Sequence, residues 1–278
     1  PLRLARGVDA RSAGREQIRV LIQQQIGSKV RGRLHVGRVS GGLLTGLSID
    51  SLSIRGMDDS LLLSTGRLTV QYNPRDLLDR RILLRNVVVE HPVVRLQLHR
   101  QGDWNYQRIL RRGSTVPGVP GRGFGDFVVL DSVTVKDGQF IFTRPWSPAD
   151  SLKGTRRDSA ISVNLASTYR EIRRSSEGLT HTYRWTRASA FLPHVRIAHP
   201  DSMRFGQEFV IRNGRVEEKE PPFSFRNAEG TVRRVADSVY VDVAHFDLPA
   251  STGSAVGKVW WGSSLPTRYD LRVRGDSV

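Results

Sequence analysis

From Leu34 onward, apolar and polar residues alternate with a period of two. The runs LHVGRV, GLSIDSLSIRG, LLLSTGRLTVQY, ILLRNVVVEHPVVRLQLH, VVLDSVTVKDGQFIFTR, SVYVDVAHFDL and TRYDLRVRG all follow this pattern. They break at Gly, Asn-Pro, Asp-Gly or similar turn chemistry, which predicts antiparallel sheet with one apolar face. On such strands Leu68, Val70 and Tyr72 share one side, as do Val94, Leu96 and Leu98. The segment before Leu34 reads differently. In SAGREQIRVLIQQQIGSK the residues Ile18, Leu21, Ile22 and Ile26 recur at i, i+3, i+4 and i+8, with Gly27 as a stop and Lys29 beyond it. This predicts one substantial helix over 18–26, capping an open end of the sheet.

Shorter signals punctuate the strands. NPRDLLDRR offers Asn73 as a helix cap with Pro74 at the first helical position, and NYQRILRR repeats the idea with Asn105. The stretch 111–123, RRGSTVPGVPGRG, predicts a flexible exposed linker, while 144–159 and 170–180 read as long loops or hairpin tips. Two stretches, LLRNVVVEHPVVRLQLHRQGDWN and VVLDSVTVKDGQFIFTRPW, share an order: an apolar start, alternation, a His-Pro or Asp-Gly break, then a second strand. Similar units return towards the end of the chain. A chain that repeats strand-turn-strand units extends a sheet, because each unit buries its apolar side only against its neighbours.

Composition sharpens this picture in one respect. Only 38% of the 278 residues are hydrophobic, too few for a dense second layer over so long a sheet. The apolar face must therefore curl on itself or meet something apolar, and acyl chains suit it at roughly 0.8 kcal/mol per buried methylene. The formal charge of +16 is carried almost wholly by arginine, with lysine only at 29, 136, 153, 219 and 258. These charges are spread along the chain and predict a solvated basic surface; a basic nucleic-acid binder is the remote alternative. Absence of cysteine excludes disulfides, thiolate zinc sites and cysteine catalysis. No apolar run reaches the roughly 18 to 20 residues of a membrane span. Because the sequence starts at Pro1, we expect an anchor upstream of residues 1–30.

Candidate chemistry is sparse. The histidines, including His91, His99, His194 and His199, show no zinc-motif spacing, and Glu217, Glu218 and Glu220 before Pro221 read as a solvated tip. GRGFGD at 121–126 follows no strand-then-helix unit. Trp146, Trp185, Trp260 and Trp261 are not interleaved with a compact basic cluster in sequence, against base stacking. We therefore expect no catalytic residue, metal or cofactor, and no nucleic-acid partner.

The succession GRVSGGLLTGLSIDSLSIRG, then LSTGRLTVQYNPRDLLDRRILLRNVVVEHPVVRLQLHRQGDWN, resembles the amino-terminal part of the AsmA/TamB family of bacterial envelope proteins. The likeness rests on a Gly-rich strand pair, a short Pro-containing helix, a strand ending in Pro and a closing corner. That corner is Gly102-Asp103-Trp104-Asn105, with the family's Asp and Gly exchanged. The resemblance covers about 33–110 and returns in the last fifty residues. It implies a curved antiparallel sheet forming an open groove over 31–278, closed at one end by the amino-terminal helix. It further implies a periplasmic protein anchored in the inner membrane by an upstream segment, with phospholipid acyl chains and outer-membrane assembly proteins as partners. The implied function is phospholipid transport between the two membranes or outer-membrane assembly; the alternative is a β scaffold that binds envelope proteins without carrying lipid. The expected groove lining is Leu68, Val70, Tyr72, Val87, Val89, Val94, Leu96, Leu98, Val133, Val135, Phe140, Phe142, Val239, Val241, Val243, Leu271 and Val273.

Overall fold

The computed structural model describes residues 19–20, 23–24, 27–28, 30–42, 46–73, 75–76, 79, 81–110, 127–168, 171–198, 208–218, 225–235, 238–260 and 268–277. Among these, strands predominate and join into one curved, nearly closed sheet. In chain order they are β1 (Gly32–Val36), β2 (Val39–Gly42), β3 (Gly46–Ile49), β4 (Leu52–Gly56), β5 (Leu61–Thr65), β6 (Leu68–Tyr72), β7 (Ile82–Glu90) and β8 (Val93–Gln97). There follow β9 (Val128–Pro145), β10 (Glu171–Ser175), β11 (Gly178–Ala198), β12 (Glu208–Glu218), β13 (Phe225–Val235), β14 (Ser238–Leu248), β15 (Ser251–Trp260) and β16 (Arg268–Ser277). Among the described residues α1 (Asn105–Ile109) and α2 (Gly154–Ala166) lie between strands, and Arg75 and Asp76 are helical as well.

The short strands are halves of longer ones. β1 and β2 follow each other across Gly37-Arg38, β3 and β4 across Asp50-Ser51, β5 and β6 across Gly66-Arg67, and β7 and β8 across His91-Pro92. Backbone bonds carry the ladder through each junction: Gly37 N–H donates to Ser51 O (2.8 Å), Gly66 N–H to Glu90 O (2.9 Å), His91 N–H to Lys136 O (2.9 Å) and Gln139 N–H to Pro92 O (2.7 Å). On β9 the same level falls at Asp137-Gly138, opposite Ala188 of β11, where the register shifts. His91, Asp137 and Arg187, in three successive strands, all have positive φ. A single crease thus crosses six adjacent long strands. A bulge bends its strand and adds twist, so a row of them folds the sheet over.

Sequence phase explains why the crease does not scramble the faces. Val87 and Val89 are odd-numbered while Val94 and Leu96 are even; Val133 and Val135 give way in the same manner to Phe140 and Phe142, and Ala190 and Leu192 to Trp185 and Tyr183. One extra residue transfers every later side chain to the other face, so a slip in the alternation and a bulge in the backbone cancel. Small residues occupy the fold line. A Cβ on Gly138 would lie 3.2 Å from Pro92 Cγ and 3.3 Å from Ala188 O, which leaves no comfortable room for a side chain.

Three expectations are corrected. The sheet is mixed, because β9 runs parallel to both β7 and β8. His91-Pro92 offsets the strand without reversing it, so the chain must return over 98–127 before β9 can pair, and a return crossover yields parallel strands. The stretch 144–159 is not all loop, since α2 begins within it at Gly154. α2 is also a second substantial helix where only one was expected, and at thirteen residues it outlasts the predicted one. The 170–180 stretch is a hairpin, β10 paired with the start of β11. Of the amino-terminal helix, Arg19, Val20, Gln23, Gln24 and Gly27 are helical, while Ile18, Leu21, Ile22 and Ile26 lie outside the described residues, as does the 111–123 linker.

Two apolar clusters lie on either side of the crease. The larger joins Val36, Val39, Leu47, Ile49, Val70, Val87, Val133 and Val195, with Leu68, Tyr72, Val89 and Val135 packed against it. The smaller joins Val30, Leu62 and Ile109 with Ile54, Leu63, Leu96 and Tyr106. Burial at these positions is the main force holding the sheet bent. Beyond β11 the pattern simplifies to a meander, β12 to β16, in which each strand pairs antiparallel with its chain neighbours.

Candidate functional site

The expected lining residues fall into three environments. Leu68, Val70, Tyr72, Val87, Val89, Val133 and Val135 come together in the larger cluster, filled by the chain's own side chains from β1, β2, β3 and β11; Val87 is 3% exposed. The Tyr72 phenol oxygen is buried there with no hydrogen-bond partner, and burial raises its pKa.

Across the crease, Leu96 packs in the smaller cluster, and Phe140 and Phe142 belong to an aromatic row. Phe142 stacks on Trp104 (5.6 Å between ring centroids) and on Tyr183 (5.8 Å), while Phe140 meets Trp185 at 5.4 Å. Val94 pairs with Phe140 along the parallel ladder and with Leu63 of β5. Leu98 bridges Trp104. The Gly-Asp-Trp-Asn corner holds this end in place. Gly102 takes φ +88°, a conformation L side chains rarely adopt. Asn105, buried, donates from Nδ2 to Arg95 O (2.8 Å) and accepts at Oδ1 from Gln97 N–H (3.0 Å) and Tyr106 N–H (2.9 Å). It serves β8 as a side-chain partner beyond that strand's two-residue ladder with β5. It does not cap α1 as predicted: Trp104 occupies the cap position, and its N–H donates to Gln107 Oε1 (2.9 Å). Asp103 is held by Arg108, whose Nη2 donates to Oδ1 at 3.0 Å, and this hydrogen bond lowers the carboxyl pKa.

The third environment is the meander. Register pairs Val239 with Val259, and Val259 with Tyr269; it pairs Val241 with Gly257, and Gly257 with Leu271; it pairs Val243 with Ala255, and Ala255 with Val273. Residues directly opposite share a face, so these form one unbroken apolar patch. Exposure rises along it. Val239 is buried and Val241 and Val243 are half-buried, whereas Leu271, Val273 and Tyr269 are 42%, 65% and 75% exposed. Period two puts Thr231, Arg233, Tyr240, Asp242, Lys258 and Arg272 on the other face, where they line a shallow cleft of about 520 Å³.

One feature of that cleft escaped sequence reading. Arg233 lies 4.7 Å from the Tyr240 ring centroid, Lys258 Nζ lies 5.0 Å from the same ring, and Lys258 Nζ lies 4.5 Å from the Trp260 ring. Aromatics and cations are therefore interleaved here, by strand register rather than by sequence proximity. Asp242 and Asp270 share the cleft with these cations.

Among the described residues His99 pairs with Glu177 (2.8 Å), His194 with Asp131 (2.7 Å), His245 with Asp247 (2.7 Å) and His91 with Asp137 (3.2 Å). None joins a group of three or more potential metal ligands among the described residues. Asp247 sits below the usual carboxylate range, chiefly through the hydrogen bond from Asn227 and then that from His245. No described helix is long and apolar enough to cross a membrane. No protein-family model matches the chain, and no curated protein matches it.

Proposed function

We propose that the apolar face of β14 to β16 holds phospholipid acyl chains, as part of an AsmA/TamB-like protein that works in the periplasm tethered to the inner membrane. In this reading the groove wall runs to the exposed apolar side chains of β16, and the creased half of the sheet with the helix before Val30 caps its far end. The observation that carries this reading is the segregation of faces: Val239, Val241, Val243, Val259, Leu271 and Val273 on one side, every charged side chain of the cleft on the other. An acyl chain laid on this patch gains roughly 0.8 kcal/mol for each methylene it takes out of water, while a head group stays at the wet margin. The patch runs unbroken from β14 to β16, so a chain can slide along it without leaving a pocket. No residue is assigned a catalytic role and no cofactor is required.

The test is mass spectrometry of lipids that co-purify with the chain, beside the same measurement on Leu271→Asp. Leu271 is exposed, so this variant should fold while placing a carboxylate on the lipid path. Phospholipid on the parent and at least a fivefold loss on the variant are expected. A folded parent with no bound phospholipid overturns the conduit. The remaining reading would then be a protein-binding β scaffold, for which the self-filled cluster around Val87 already speaks in the creased half.

A further inference from the structure

Register orders the polar face of the meander into two rows across four strands. Arg233 of β13, Tyr240 of β14, Lys258 of β15 and Asp270 of β16 stand directly opposite one another in turn, and Thr231, Asp242, Val256 and Arg272 form the next row. These side chains line the cleft of about 520 Å³. Lys258 has Asp270 directly opposite and Asp242 on the diagonal, at Cβ separations of about 5 Å and about 7–8 Å that a lysine side chain spans. Its ammonium nevertheless goes to the rings, 5.0 Å from the Tyr240 centroid and 4.5 Å from that of Trp260. Among the described residues of the cleft, no ion pair joins Asp242 or Asp270 to Lys258 or Arg272. Facing charges do meet elsewhere in the sheet, as Arg33 meets Asp59 (2.8 Å) and Arg184 meets Glu171 (3.2 Å).

We propose that this cleft binds a small zwitterion, a ligand that carries one ammonium and one oxyanion, the latter a carboxylate or a phosphate. Arg233 and Lys258 approach the Tyr240 ring from the strands on either side of it, and both come within 5.0 Å of its centre. The negative ring face draws each of them there. Two cations that converge on one ring repel each other, and an oxyanion within reach of both relieves that repulsion while accepting charge-assisted hydrogen bonds. Asp242, two residues along from Tyr240, and Asp270, opposite Lys258, are exposed carboxylates that receive the ammonium. The two signs are thus presented side by side instead of neutralising each other within the protein. A polyanion would bring its further negative charges against these same two carboxylates. The cleft lies on the opposite face of the sheet from the acyl-chain patch, so the inference stands or falls independently of lipid binding.

NMR titration of the full chain reads the site directly, through the amides of Tyr240, Asp242, Gly257 and Lys258. Phosphoethanolamine and 4-aminobutyrate carry both charges, with phosphate and carboxylate respectively as the oxyanion. Inorganic phosphate, tripolyphosphate, acetate and ethylamine carry one sign only. At least one zwitterion should bind at least about fivefold more tightly than every probe of one sign, and the tighter of the two identifies the oxyanion. Asp242→Asn together with Asp270→Asn should remove that advantage while leaving inorganic phosphate bound as well as in the parent or better. Lys258→Gln should weaken the zwitterion and inorganic phosphate alike, each at least about fivefold. Asp242 and Asp270 are exposed and Lys258 is half-buried at the surface, so these variants should keep the fold of the parent. An advantage smaller than fivefold overturns the proposal, as does tripolyphosphate binding more tightly than either zwitterion. Amide shifts that fall outside the cleft, or paired asparagines that leave the zwitterion bound as before, overturn it too.

Discussion

Single side chains in this protein do legible physical work, and three of them can be tested by removal. Asn105 satisfies a carbonyl and two amides at once, so Asn105→Ala leaves buried backbone groups without partners. The expected cost is about 2–3 kcal/mol in chemical denaturation, with the corner at Trp104 loosening first. Tyr72 is the opposite case. Its hydroxyl has lost water and found nothing, so Tyr72→Phe should be neutral or stabilise by about 1 kcal/mol. Asp103 supplies a pH dependence. Its carboxyl is held below the ordinary value near 3.9, chiefly by the hydrogen bond from Arg108, so it binds fewer protons folded than unfolded. Its stabilisation is complete above about pH 4 and is lost as pH falls through the folded value. A series of thermal melts from about pH 5 to pH 2 should show Asp103→Asn with a smaller decline than the parent.

At the scale of elements, sequence reading recovers the strands and misassigns some of what joins them. Period two finds β6, β7, β9, β14 and β16 because a half-buried strand leaves no other signature. Yet Asp137-Gly138 and His91-Pro92 carry the same residue types as turns, and only the phase of the flanking valines tells a bulge from a reversal. Phase makes a sharp prediction. Deleting Asp137 should move Phe140 and Phe142 to the wrong face, break the stack with Trp104 and Tyr183, and yield a protein with no cooperative melt. α2 is hidden for a different reason. Its half-buried positions Arg157, Ala160, Ile161, Asn164 and Leu165 keep helical spacing, but two of the five are polar, and Lys153 gives its first turn no side-chain cap. Packing against β10, not propensity, holds it.

For the molecule as a whole, the lining residues named from sequence share the sheet but not one environment. Spacing along a strand reveals which residues share a face; it does not reveal whether that face is met by another part of the chain, because the crease that closes one half depends on contacts far apart in sequence. A charge distinguishes the two halves. Leu96 packs with Val30, Leu62 and Ile109, so Leu96→Asp should abolish folding as judged by circular dichroism. Val87→Ala in the larger cluster should cost about 2 kcal/mol. Leu271→Asp, on the open face, should leave the melting temperature within about 2 °C of the parent.

The three-way pairing of β9 gives the protein an uneven tempo. β9 is contacted by β7 and β8, both reached only after the chain has travelled from Gln97 to Val128, and by β11. The meander from β12 to β16 needs nothing but adjacent hairpins. Nearby contacts close quickly and distant parallel ones slowly, so refolding should begin at the carboxyl-terminal meander and finish at β9. Amide exchange in the native protein follows local opening and not the order of folding, so the exposed β16 should lose its protons first and β9, paired with three strands, last.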